Sequence, residues 1–291
     1  MKKMICVVTG SRADKGLLAW PLKCLREDGA FDVRELNLHG MVSVMQAQEA
    51  ATQAFTHWQL SWVLLLGDRY EVLGAALAAH LLRIRIAHLC GGDVTEGSYD
   101  DAMRDCISRV ATLHFATSEE ALARLLGWGC EHVHLVGNPA LDYIRYGDWR
   151  GERPMKEPYV LVSYQAETID GTSEIRMVLE SIGDHYAVIL MPNPDVGSEA
   201  IRDEIESYCI NHSKAWYVEC LAHSTFLNYL AHCEEFIGNS SAIFYEAPEL
   251  GVPTRVIGKR QRGRVIPWGD GHASERIVSV LKQFDRQEVH A

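Results

Sequence analysis

No apolar run in this sequence is long enough to cross a membrane. The longest, Val72 to Leu82, is interrupted by His80 and followed by Arg83, well short of the roughly 20 residues that a spanning helix needs. The short apolar start, Met4-Ile5-Cys6-Val7-Val8, leads straight into a polar turn and reads as a first strand rather than a leader. Positive charge is scarce as well: 28 Lys and Arg stand against 39 Asp and Glu, a formal net charge of −11. A nucleic-acid binder would carry a basic face, so nucleic acid is not an expected partner, whereas an anionic small molecule needs only a few local cations. None of the eight cysteines forms a C-x-x-C pair, and no His-rich spacing accompanies them. Zinc signatures are therefore missing, no metal is expected, and the reading is of reduced thiols in a cytoplasm. Walker A and dinucleotide fingerprints are absent, as are repeats and low-complexity segments.

What is present is alternation. Apolar runs of strand length follow helical patterns almost throughout, which predicts an α/β fold with parallel sheets. In the first half strands are expected at Met4–Thr9, Val33–Leu38, up to Leu66, Ile84–Leu89, His114–Thr117 and Val133–Val136. Helices are expected from about Lys15, where Pro21 should kink the helix, and at Ser43–His57, Val72–Leu82, from about Tyr99, and at Ser118–Leu126. Tyr146 to Pro158, rich in Gly, Pro and charge, is the best linker. Beyond it strands are expected at Tyr159–Tyr164, Ala187–Met191, Ala215–Val218, Glu235–Ile237 and Thr254–Ile257. Helices there are expected at Ser173–Ile182, Ser198–Cys209, Ser224–His232, Ala242–Leu250 and about Ala273–Arg286. The expectation is two Rossmann-like domains, 1–150 and 151–291, with a cleft between them.

Five stretches could carry chemistry. Gly67-Asp68-Arg69-Tyr70-Glu71 follows an apolar strand, and ligands sit at the carboxyl ends of strands in open α/β sheets; alternatively Asp68 caps the next helix and Arg69 pairs with Glu71. Gly10-Ser11-Arg12-Ala13-Asp14-Lys15-Gly16 offers a tight turn, amides at a helix start and the cations Arg12 and Lys15 for an anion. In His88 to Asp101, the pair Gly91-Gly92 lets backbone approach a ligand, and Asp93 stands at another strand end. Ser98 and Asp101 have capping-box spacing, and Asp101, Arg104, Asp105 and Ser108 share one helix face, with plain solvated surface as the alternative reading. Gly238-Asn239-Ser240-Ser241 with Glu246 suits a diphosphate on helix-start amides and a ribose near the carboxylate, or a simple cap. Gly258-Lys259-Arg260-Gln261-Arg262-Gly263-Arg264 concentrates cations in an acidic chain, for a phosphate or as a solvated loop.

In order, G-S-R-A-D-K-G, G-D-R-Y-E, H-L-C-G-G-D-V-T-E-G-S-Y-D-D, G-N-S-S, E-A-P-E-L and G-K-R-Q-R-G-R resemble the hydrolysing UDP-N-acetylglucosamine 2-epimerase family of the sialic- and legionaminic-acid pathways. The resemblance implies a GT-B fold, UDP held mainly by the C-terminal domain, and a last helix packing back on the first domain. It implies Arg12, Lys15, Ser240, Ser241, Glu246 and Arg260 on the nucleotide. It implies Asp68, Asp93, Asp100 or Asp101, and the position of Gln165 on the catalytic side, with Arg69, Arg104 and Glu167 positioning the substrate. The implied partner is a UDP-sugar, with no cofactor, and a homodimer or higher homo-oligomer. The chain departs from the family at Asp93, usually Glu; at Gln165, usually His; at Met103-Arg104-Asp105, usually Ile-Arg-His; and in a shorter span from Gly40 to Gly67. Non-hydrolysing epimerase, glycosyltransferase, UDP-sugar hydrolase and non-catalytic binding protein are the competing readings.

Overall fold

A computed structural model describes residues 2–95, 99–168, 173–260 and 269–287. The elements run β1 (Lys3–Thr9), α1 (Arg12–Leu17), α2 (Ala19–Asp28), β2 (Phe31–Asn37), α3 (Val44–His57), β3 (Trp62–Leu66), α4 (Tyr70–Leu81), β4 (Arg85–Leu89), α5 (Asp100–Val110), β5 (Leu113–Ala116), α6 (Glu119–Gly127), β6 (Val133–Leu135) and α7 (Pro139–Tyr146). They continue with β7 (Tyr159–Ser163), α8 (Ile175–Glu180), β8 (Tyr186–Leu190), α9 (Ser198–Asn211), β9 (Ala215–Val218), α10 (His223–His232), β10 (Glu235–Gly238), a 3₁₀ turn (Ser241–Ile243), α11 (Glu246–Glu249), β11 (Thr254–Val256) and α12 (Ala273–Gln287). All strand pairs are parallel, in the orders β2-β1-β3-β4-β5-β6 and β11-β10-β7-β8-β9. The chain divides into two compact units: Met1–Asp93 with Asp100–Tyr146 and Pro267–Ala291, and Val94–Tyr99 with Gly147–Ile266.

In the first unit the sheet is buried on both faces, which is why β3 reads Trp-Val-Leu-Leu-Leu with no polar residue. Alternation along the strands divides the core. Ile5, Val7, Trp62 and Leu64 pack with Leu22 and Leu25 of α2 and with Ile277, Leu281 and Phe284 of α12. Cys6, Val8, Val63 and Leu65 pack with α3, α4 and Ile107 of α5 on the other face. Each such large side chain contributes about 1.5–3 kcal/mol by leaving water. The start of α12 is fixed by Asp142, whose carboxylate accepts from the Ala273 and Ser274 amides at 3.2 and 2.6 Å. In the second unit Val160 and Val162 face α8 and α9, while Tyr159 and Leu161 face α10 and the segment Ala242–Ala247.

Proline accounts for two departures from the expected elements. The kink expected at Pro21 is a full break: α1 starts at Arg12, three residues earlier than expected, and ends at Leu17, and Pro21 stands third in α2. Pro21 lacks the amide that would reach the Leu17 carbonyl, and its ring crowds that carbonyl. Pro248 acts the same way four residues after Phe244, so the helix expected over 242–250 is a 3₁₀ turn followed by a single short turn of α11. The sequence reading also placed no helix at Pro139–Tyr146, where α7 forms with proline at its first position.

Candidate active site

At the carboxyl end of β3, Asp68 does not cap α4: Arg69 is the cap residue, and no side chain bonds the first amides. Arg69 makes a two-point pair with Glu71, both contacts at 3.1 Å. Asp68 instead pairs with the guanidinium of Arg104 on α5, and the same guanidinium pairs with Asp101. Its Nη1 also donates to the Asp93 carbonyl at 2.6 Å. Arg104 is 2% exposed, while Asp68 and Asp101 are 23% and 31% exposed. The face containing Arg104 and Ser108 is therefore an interior face, with Ile107 beside it, and Cys106 and Arg109 point to solvent. That overturns the solvated-surface alternative. A buried cation pairing with two partly open carboxylates fixes their position.

The neighbouring strand ends supply the rest. Asp93, after β4, accepts from the Thr117 hydroxyl at 2.8 Å, and Thr117 is itself buried at the end of β5. Asp100 and Asp101 form the first turn of α5, where the helix dipole favours negative charge. Burial pushes the Asp105 carboxyl above its ordinary range, against the pull of Arg104, Arg124 and Arg109. The paired glycines do not hold backbone open for a ligand as expected. A Cβ on Gly91 would stand 2.9 Å from Ser108 Oγ, and one on Gly92 2.6 Å from the Ala121 carbonyl, so both serve the protein's own packing. Ser98, predicted to cap this helix, lies outside the described residues.

The turn after β1 is likewise filled from within. Ser11 and Asp14 form the capping box, and Asp14 Oδ2 accepts from the Gly10 and Ser11 amides at 2.8 and 2.9 Å. The Gly10 and Ser11 amides are thus occupied by a carboxylate. Lys15 is exposed on this short helix; Arg12 opens it, and its side chain lies outside the description.

In the second unit Asn239, fully buried, clamps the end of β7 to the end of β10. Its Oδ1 accepts from the Gln165 amide at 2.6 Å and its Nδ2 donates to the Gln165 carbonyl at 2.9 Å. The Gln165 side chain accepts from the Asn193 amide at 2.9 Å. Glu167 Oε1 accepts from the Lys259 amide at 2.7 Å, and Arg260 Nη1 donates to the Ala166 carbonyl at 2.6 Å with Asp195 3.9 Å away. Gln261 to Arg264 lie outside the described residues. Ser240 Oγ accepts from the Ala242 amide, and the Ile243 and Phe244 amides bond back to Ser240 and Ser241, so those three amides are not open to a ligand. Glu246 is buried at the start of α11 with Oε1 3.7 Å from His223 Nε2. Its other oxygen has no hydrogen-bond partner among the described residues, an arrangement that invites a donor from outside.

Thr117 and His223 were not singled out from the sequence, and no role of their own was read for Asn239 and His88 within their stretches, because each meets its partner across tens of residues with no local pattern. Among the described residues no group of three or more His, Cys, Asp or Glu side chains could hold a metal ion, and no helix is long and apolar enough to cross a membrane.

A family model described as UDP-N-acetylglucosamine 2-epimerase matches residues 6–266. A GDP/UDP-N,N'-diacetylbacillosamine 2-epimerase (hydrolyzing) of Campylobacter jejuni is 31% identical over 241 residues, 77% of this chain and 62% of the relative, so the match spans less than two thirds of that protein. A UDP-N,N'-diacetylbacillosamine 2-epimerase (hydrolyzing) of Legionella pneumophila is 28% identical over 338 aligned residues, 98% of this chain and 87% of the relative. A crystal structure of UDP-GlcNAc 2-epimerase from Neisseria meningitidis bound to UDP-GlcNAc shares the fold at TM-score 0.78 and 17% identity, covering 96% of this chain and 100% of that one. The Methanocaldococcus jannaschii UDP-GlcNAc 2-epimerase in complex with UDP-GlcNAc and UDP gives TM-score 0.78 at 18% identity, covering 97% and 100%. The two parallel Rossmann-like sheets are those of this GT-B-like fold class, and the chain belongs to the UDP-N-acetylglucosamine 2-epimerase family.

Proposed function

We propose that the chain is a hydrolysing UDP-sugar 2-epimerase, which converts UDP-GlcNAc or a related UDP-2-acetamido sugar and water into UDP and the free 2-epimer. The observation that carries the reading is the pair of carboxylates gathered on Arg104, Asp68 after β3 and Asp101 in the first turn of α5, with the backbone of Asp93 after β4 on the same guanidinium. Inverting C2 requires a proton to leave one face of the carbon and arrive on the other, which calls for converging groups able to take and give protons. In the first step a carboxylate takes the C2 proton, the C–H electron pair forms the C1–C2 double bond, and the C1–O bond breaks with its electrons leaving on UDP. In the second step water adds its oxygen at C1 and a proton reaches C2 from the opposite face.

Asp68, Asp93, Asp100 and Asp101 are the acid and base candidates; Arg104 holds the carboxylates of Asp68 and Asp101, and Thr117 holds that of Asp93. Gln165 has no proton to exchange and acts by hydrogen bonding, with Arg69 and Glu167 positioning residues on their own units. On the nucleotide side Ser240, Ser241 and Arg260 of the second unit take the diphosphate and the unsatisfied oxygen of Glu246 takes a ribose hydroxyl, while Arg12 and Lys15 are the cation candidates of the first unit. The hydrolysing relatives at 31% and 28% identity support release of free sugar.

Proton NMR of UDP-GlcNAc with the protein in heavy water tests the reading. The expected result is free N-acetylmannosamine carrying deuterium at C2, with UDP appearing in step. Free sugar with protium at C2 would remove the elimination route, and an intact UDP-linked epimer would identify a non-hydrolysing enzyme.

A further inference from the structure

Behind the Asp68 turn lies a buried imidazole that the reaction itself does not use. His88, on β4, is fully buried. Its Nε2 is 2.8 Å from the Gly67 carbonyl and its Nδ1 is 3.0 Å from Ser108 Oγ. A carbonyl only accepts, so Nε2 carries the proton and Nδ1 accepts from the serine hydroxyl, an assignment made from the partners. Gly67 immediately precedes Asp68, and Ser108 is one helical turn beyond Arg104 on α5. One ring therefore ties together, from inside, the same two pieces of backbone that the Asp68–Arg104 pair joins from outside. The packing leaves no slack around it: a Cβ on Gly91 would stand 3.0 Å from His88 Nδ1 as well as 2.9 Å from Ser108 Oγ.

We propose that His88 is a positioning residue for the Asp68–Arg104 pair, setting the Gly67–Asp68 turn against α5 through Ser108. This deepens the proposed function and rests on it for its kinetic consequence alone. Burial, with a smaller contribution from His114, lowers the imidazole to about 4, so the ring stays neutral in one tautomer at working pH. It is enclosed by Gly67, Ser108 and Gly91 and does not meet substrate.

Gln and Asn substitutions separate the two ends of the ring. His88→Gln can keep a donor where Nε2 stands; His88→Asn can keep only the contact near Nδ1. The expected result for His88→Asn is a kcat on UDP-GlcNAc lower by about 10-fold or more with KM within about 2-fold, since a small misplacement of a reacting group costs rate. His88→Gln, which keeps the Gly67 contact and loses the one to Ser108, should recover part of that rate and match Ser108→Ala. In the same proteins the ¹³C carboxylate resonance of Asp68, assigned by its loss in Asp68→Asn, should move in the Asn variant and return part of the way in the Gln variant. Wild-type kcat and an unmoved Asp68 resonance in His88→Asn, or equal impairment by Asn and Gln, would overturn the proposal. Should His88→Asn fail to fold, Ser108→Ala decides by the same two readouts: both moved supports it, both unchanged sinks it. Should the wild type turn over no UDP-sugar, the functional reading fails, and the Asp68 resonance still decides the role of His88.

Discussion

Arg104 is the side chain whose removal should separate site from scaffold. It is a buried cation whose acceptors include the Asp68 and Asp101 carboxylates and the Asp93 carbonyl, from separate places in the chain. Arg104→Met keeps the stem volume and removes the charge, and replacing a buried charge by a packed apolar chain is often tolerated by the fold. Its two carboxylate partners are partly open to water and can be solvated. The expectation is a folded protein with kcat on UDP-GlcNAc reduced by about 10²-fold or more, read from steady-state kinetics beside a thermal melt. A folded variant with wild-type kcat would remove Arg104 from the site. Asp68 was visible in the sequence because strand, turn and helix succeed one another locally. Helical spacing put Arg104 on a face with Asp101 and Ser108, but spacing alone cannot say which face meets protein. The paired glycines and the Gly10–Ser11 amides misled because their contacts are with α6, Ser108 and Asp14, which no spacing displays.

At the scale of elements, β4 and β5 bring His88 and His114 opposite one another in register. Both are buried. Burial, with His132 adding to it at His114, pushes each ring down to about 4. In the unfolded chain each titrates near its ordinary value of about 6.5. Folding thus favours the neutral rings, and their contribution is complete above about pH 6.5 and is lost as pH falls toward 4. The gap corresponds to about 3 kcal/mol for one isolated ring, and less than twice that for an interacting pair. Urea unfolding at pH 7, 5.5 and 4.5 should show this decline, and His114→Phe should flatten it. An equal slope in the variant would assign the acid sensitivity elsewhere. Strands were the most legible elements, since buried parallel strands are runs of apolar residues. Helices were legible except where proline cut them, at Leu17 and before Glu246, and at α7, whose eight residues are too few for the apolar positions Ala140, Leu141 and Ile144 to stand out as a period.

For the molecule as a whole, alternation of strand and helix was enough to read two parallel α/β units, because each crossover connection leaves its mark in sequence order. The long-range clamps were not readable: Asn239 on Gln165 and Asp142 on the start of α12 join residues 74 and 131 to 132 positions apart. Under the function proposed above, carboxylates of the first unit handle the C2 proton and Glu246 of the second unit takes a ribose hydroxyl. The most direct test is the rate of deuterium incorporation at C2 from saturating UDP-GlcNAc in heavy water, Asp68→Asn against wild type. The account predicts a fall of about 10²-fold or more with UDP still bound; incorporation at the wild-type rate would contradict it.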